Sequence, residues 1–136
     1  MVVIDTSVVF KWFNETEEYR KIATEILAKH LKKTDEIFIP NLLYYELTNA
    51  WATKTILSVE EIKENLSYLK TYGLSVVQIS FAHFNKAVEY AKQYHVSVYD
   101  VIYAVLAEEK KCNLFTADTH FVEKINFPFV HHLKDY

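Results

Sequence analysis

Four acidic residues fall where a fold would use them: Asp5, Glu46, Asp100 and Asp118. Asp5 closes the apolar run of "MVVID" and is followed at once by Thr6 and Ser7. Asp118 closes "NLFTAD". Glu46 borders the apolar stripe of a helical segment, one turn after Leu42 and Leu43 and one turn before Asn49 and Ala50. Asp100 sits in the first turn of an unusually apolar segment, "SVYDVIYAVLAEE". Each acid also has a local explanation. Asp5 and Asp118 could cap the helices that follow them. Asp100, three residues after Ser97, resembles a capping box with Asp in place of Glu. A buried Glu46 would need a basic partner, and the only arginine is Arg20. If the four meet in one cleft, like charges raise one another's pKa values, and a divalent cation removes the conflict. Oxygen-only ligands without a Cys or His cluster suit Mg²⁺ or Mn²⁺ over zinc. Such an ion acidifies a bound water, and two ions can stabilise both the attacking and the leaving oxygen of a phosphodiester. The chemistry implied is metal-dependent phosphodiester hydrolysis.

The elements that must position these residues follow from periodicity and stop signals. Residues 2–5 read as a short buried strand, with a short helix through Phe13. "EEYRKIATEILAKHLKK" is an amphipathic helix ending in lysines, which suit a helix C-terminus. A second strand spans 36–39. Pro40 is expected to open the next helix, continued by "NLLYYELTNAWATK". "SVEEIKENLSYLKTY" opens on a Ser58…Glu61 capping box and stops at Gly73. "LSVVQIS" is a third strand, and helices follow at 81–94 and 98–111. "NLFTAD" is a fourth strand, then come a short helix and a last short strand near "FPFVHHL". Alternating strands and helices predict a three-layer α/β/α sandwich with a mainly parallel central sheet. In such sheets ligands gather outside the carboxyl ends of the strands, the edge where Asp5 and Asp118 would lie.

At 136 residues, with neither a repeat nor a Pro/Gly-rich linker, residues 1–136 are expected to form one domain. The formal net charge of −3 does not predict binding of nucleic acid by bulk phosphate neutralisation, although bound metal can invert the field of an acidic site. No apolar run reaches the ~18 residues of a membrane span, and no basic-then-apolar leader opens the chain. The single Cys112 rules out an internal disulfide and is expected to be a small buried apolar residue. A reducing, cytoplasmic location is therefore expected.

The segments "VVIDTSVVFKWF", "IPNLLYYELTNAWATK", "SVYDVIYAVLAEEKKCNLFTAD" and "FVHHL" occur in the order seen in PIN domains. Together they are most similar to the VapC-type toxins of bacterial and archaeal toxin–antitoxin pairs, over almost the whole chain. The resemblance implies an endoribonuclease that cuts RNA with Mg²⁺ or Mn²⁺, with Asp5, Glu46, Asp100 and Asp118 as its acidic, metal-holding site. It matches Thr6, Ser7 and Thr116 to hydroxyls that orient carboxylates or metal-bound water. For these three, local turn hydrogen bonding is the alternative. Asn49 matches an amide one turn after the glutamate, or else is a plain helix-surface amide. Lys11 matches a basic residue that touches substrate phosphate, or else is a solvated lysine. His120 is a further candidate for substrate contact. Some relatives carry another acid or amide just after the last aspartate; here the chain reads Thr119 and His120, which argues for one tightly bound ion. The resemblance also implies a homodimer, and a cognate antitoxin clamped by the early helices, which carry Trp12, Phe13, Tyr44 and Trp51.

Two other enzyme-like readings fail on residue types. A phospho-receiver needs an acidic pair after the first strand and a lysine near the last strand, where only Lys134 follows Phe129. An Asp-x-Asp phosphatase would need an acid where Ser7 stands. A catalytically silent binding module is the remaining alternative; nothing in the four intact acids supports it.

Overall fold

The computed structural model describes residues 1–136. The chain runs through β1 (Val2–Ile4), α1 (Thr6–Trp12), α2 (Arg20–Leu31), β2 (Ile37–Pro40), α3 (Leu42–Lys54) and α4 (Val59–Thr71). It continues through β3 (Ser75–Val77), α5 (Phe81–Tyr94), α6 (Val98–Lys110), β4 (Asn113–Thr116), α7 (Thr119–Ile125) and β5 (Val130–His132), and ends in a short 3₁₀ turn. The five strands form one sheet in the order β3-β2-β1-β4-β5, and every pairing is parallel. Parallel neighbours require crossovers, and the right-handed rule fixes their side. The chain steps from β1 to β2 to β3 in one direction and then crosses back to β4. Helices α1–α4 therefore cover one face, and α5–α7 cover the other. This is the expected α/β/α sandwich, and the strand order reverses between β1 and β4.

Burial follows the topology. Val3, Ile4, Ile37, Ile39 and Leu114 are buried on the strands. Helix α6 lies across β1, β2 and β4 and is covered in turn by α5. That double cover explains its continuous apolar sequence: every residue from Val101 to Ala107 is buried. Opposite, the Trp12 indole N–H donates to the Ala23 carbonyl at 2.8 Å and ties α1 to α2. No helix is long and apolar enough to cross a membrane.

Several boundaries differ from the expectation, each for a local reason. Pro40 ends β2 and does not open α3. It pairs with Val77 of β3 alone, because the β1 pairing stops at Phe38, so its missing N–H leaves no ladder bond unmade. The second helix begins at Arg20, three residues later than Glu17, because Tyr19 takes a left-handed conformation (φ 59°) that a helix does not admit. The first and fourth strands stop short of their aspartates, which act as caps. The last strand falls within the expected region, with His131 and His132 inside β5, and Cys112 is half-buried.

The α4 start is as expected. Ser58 Oγ accepts from the Glu61 N–H at 3.2 Å, and Glu61 Oε2 accepts from the Ser58 N–H at 2.7 Å. Gly73 sits just past the helix at φ +64°, the conformation glycine adopts without a Cβ penalty. Ser58→Ala should lower stability by about 1 kcal/mol, read as an earlier urea midpoint with an unchanged slope.

Candidate active site

The site forms where β1 and β4 end side by side. Their register pairs Ile4 with Phe115, so the next residues, Asp5 and Thr116, face each other at the carboxyl edge. This is the switch point at which the strand order reverses, where open α/β sheets leave a crevice.

Asp5 is both cap and site residue. Its Oδ1 accepts from the Val8 N–H at 3.2 Å and from the Ser7 hydroxyl at 2.6 Å. Its Oδ2 accepts from the Thr116 hydroxyl at 2.6 Å. Burial pushes the Asp5 carboxyl up from 3.8 to about 6. The bonds from Ser7, Thr116 and Val8 pull against this shift, and the nearby Asp100 adds to it. Three donors favour the ionised form, yet desolvation outweighs them.

The hydroxyls do more than close turns. Thr116 is fully buried and also accepts from the Asp118 N–H at 2.9 Å. Ser7 accepts from the Ala117 N–H at 2.9 Å. The bonds between Ser7 or Thr116 and the opposite segment span over a hundred residues of sequence, so local turn bonding does not account for them. They lace the start of α1 to the turn after β4 and fix Asp5 between them. Thr6 likewise reaches across to α3, donating to Glu46 Oε2 at 2.8 Å.

Glu46 is half-buried without the basic partner that a buried glutamate would be expected to have. The same Oε2 also accepts from the Tyr103 hydroxyl of α6. Asp100 is half-buried in the first turn of α6, where its Oδ2 accepts from the Ser97 hydroxyl at 2.6 Å. Only half of the expected capping box forms, the bond from the Asp100 N–H to Ser97 Oγ at 3.1 Å. Burial raises the Asp100 carboxyl, the Ser97 bond opposes this, and Asp118 adds to the rise. Asp118 is exposed, and its Oδ1 caps α7 through the Phe121 N–H at 3.0 Å.

Asp5, Asp100 and Asp118 thus feel one another in series, and Glu46 joins Asp5 through the adjacent Thr6. None of the four belongs to an ion pair. As the side chains stand, no three of the His, Cys, Asp and Glu residues are close enough to form a metal-binding group. The donor set is nevertheless all oxygen, negatively charged and without a cationic partner, which is the chemistry a hard divalent cation fits.

The remaining candidates make no hydrogen bond to the four acids. Asn49 is exposed on α3, and its side chain makes no hydrogen bond to any of the acids. Lys11 is not solvated. It is 6 % exposed and paired with Glu17 at 2.9 Å. His120 is exposed in the first turn of α7, two residues beyond Asp118. The residue that sequence reasoning missed is Tyr103. Its signal was its position three residues after Asp100, which puts both on one face of a helix.

Residues 2–125 match the PIN domain family. The chain belongs to that family. Solved structures agree on the fold. This PIN domain is similar to a toxin–antitoxin complex from Klebsiella pneumoniae at 16 % identity and a TM-score of 0.72, covering 98 % of each chain. It is similar to VapC20 of Mycobacterium tuberculosis, described as a sarcin-ricin loop cleaving toxin, at 13 % identity and a TM-score of 0.71, covering 90 % of this chain and 94 % of that one. It is also similar to PAE2754 from Pyrobaculum aerophilum at 20 % identity and a TM-score of 0.70, covering 98 % and 90 %. No curated protein matches the chain.

Proposed function

We propose that this PIN domain is a metal-dependent endoribonuclease and the toxin of a toxin–antitoxin pair, with residues 1–136 acting as one nuclease domain. The observation that carries the reading is the acidic crevice at the β1/β4 switch point: four carboxyl groups without an ion-pair partner, the innermost pushed up to about 6 by burial. Such a cluster favours a cation. The family match and the likeness to toxins, one of them described as a sarcin-ricin loop cleaving toxin, support the same reading.

Asp5, Asp100 and Asp118 would hold Mg²⁺ or Mn²⁺, with Glu46 beside them. Once bound, the ion would lower the pKa of water and stabilise charge on phosphodiester oxygens. The chain's own groups do the rest. Ser7 and Thr116 keep Asp5 in one orientation, so a cation meets a carboxylate already fixed on a rigid strand end. Thr6 holds one oxygen of Glu46, and the other, Oε1, accepts no hydrogen bond from the protein and can take one from water. His120 stands exposed beside this edge as a contact for RNA. The purified chain, freed of any partner, is expected to cut single-stranded RNA with Mg²⁺ or Mn²⁺ and to stop when a chelator is added. Cutting that a chelator leaves untouched would contradict the reading.

Two apolar surfaces suit the partners. A cavity of about 220 Å³ between α1 and the end of α3 is lined by Phe10, Phe13, Trp51, Ile56 and Leu57. Ile56 there is fully exposed. This groove is the one we assign to an apolar antitoxin segment. Trp12 and Trp51 are core residues, at 8 % and 1 % exposure, so Phe10, Phe13 and Ile56 form the accessible surface. The second, of about 270 Å³, lies between α3, α5 and α6 and is lined by Leu42, Tyr45, Ile79, Phe84, Tyr99 and Ile102. Phe81 and Val88 extend its exposed apolar surface. We assign this face to the homodimer. Phe84→Glu should convert a sedimenting dimer to monomer without loss of helix content. A wild-type monomer at high concentration would contradict the assignment.

A further inference from the structure

Tyr103 is 2 % exposed, yet its hydroxyl is spent on the site and not on the core around it. The phenol donates to Glu46 Oε2 and lies 2.9 Å from Thr6 Oγ1. Thr6 in turn donates to that same Glu46 oxygen at 2.8 Å. Three helices meet in these bonds: Thr6 opens α1, Glu46 belongs to α3 and Tyr103 to α6. Each partner is tied to a carboxylate of the cleft, because Thr6 follows Asp5 directly and Tyr103 lies one turn after Asp100 on the same face. A phenylalanine would fill the same core space, so packing alone does not call for the hydroxyl. A carboxylate with both oxygens free can rotate, whereas one whose Oε2 takes two hydroxyl donors is fixed and offers Oε1 alone.

We propose that Tyr103 is a positioning residue of the acidic site, holding the Glu46 carboxylate through Oε2 so that Oε1 is the oxygen left to serve a cation or its water. The proposal rests on the metal-dependent reading of the site. It names a residue that acts through Glu46 and touches neither metal nor substrate.

The test measures Mn²⁺ binding by calorimetry on the free protein, beside RNA cleavage, for wild type, Tyr103→Phe, Glu46→Gln and the double variant. Removing a group that orients a metal ligand costs on the order of 10-fold or more in metal affinity or turnover. Tyr103→Phe is expected to weaken Mn²⁺ binding by about that factor and to lower kcat with KM for RNA unchanged. In the Glu46→Gln background the same change should have no further effect on Mn²⁺ affinity, because its route of action is already gone. Circular dichroism checks that the variants remain folded. Wild-type Mn²⁺ affinity in Tyr103→Phe, or an equal loss with and without the Glu46 carboxylate, would overturn the proposal. A wild type that binds Mn²⁺ but cuts no RNA would sink the nuclease reading alone, and the four Mn²⁺ affinities would still decide the role of Tyr103. A wild type that binds no Mn²⁺ would overturn both.

Discussion

Asp5→Asn is expected to stabilise the metal-free protein near neutral pH while abolishing RNA cleavage. The folded-state pKa of Asp5 is about 6, against 3.8 for the free group. Between those values the native state holds a proton that the unfolded chain has lost, so stability falls as pH rises. The contribution is fully present below 3.8 and is lost as pH passes through about 6. A rise of that size corresponds to about 3 kcal/mol of burial cost carried by the ionised native protein at neutral pH. Asparagine is neutral throughout and can keep the Val8 and Ser7 bonds through its carbonyl oxygen. Its gain over wild type should therefore be large at neutral pH and vanish near about pH 4. Urea titrations of both proteins in chelator, at the two pH values, measure the difference. A variant less stable than wild type at neutral pH would show that the three donors to Asp5 outweigh its desolvation.

The second large effect is stabilisation by divalent ions. A ligand that binds only the native state adds about 2.7 kcal/mol at one hundred times its dissociation constant. Here the ion must also displace the proton that Asp5 tends to keep, so binding should strengthen as pH rises through about 6. Mn²⁺ is expected to raise the melting temperature of wild type at neutral pH, to raise it much less near about pH 5, and to leave Asp5→Asn unmoved. The two predictions are linked: the ion restores to wild type the stability that ionised Asp5 removes. An equal rise in Asp5→Asn would place the binding of Mn²⁺ elsewhere on the surface.

The parts of the fold legible from sequence were those fixed by short-range signals. The Ser58…Glu61 box and Gly73 bound α4 because both act within one helical turn. Asp5 and Asp118 could be placed at strand ends because each closes an apolar run and opens a helix, two local signals that agree. What escaped were contacts set by topology. The bond from Tyr103 to Glu46 joins residues 57 apart, and only the crossing of α6 over the sheet brings them together. For Lys11 the sequence offered a phosphate contact or a solvated lysine, because its neighbours do not reveal the Glu17 that pairs with it across the loop after α1. Tyr19 gave no sign of its left-handed turn, since non-glycine residues enter that region only where the surrounding chain holds them there. Pro40 was misplaced because proline is equally at home at a helix start and at a strand position whose N–H side faces no partner.

The most direct measurement of the central claim is RNA cleavage by wild type and Asp100→Asn, purified in parallel and freed of any partner, with Mn²⁺ and with chelator. The acidic crevice predicts cutting by wild type with Mn²⁺ alone, and none by the variant under either condition. Equal cutting by Asp100→Asn would contradict the assignment of the site, and no cutting by folded, Mn²⁺-loaded wild type across diverse RNAs would contradict the nuclease itself.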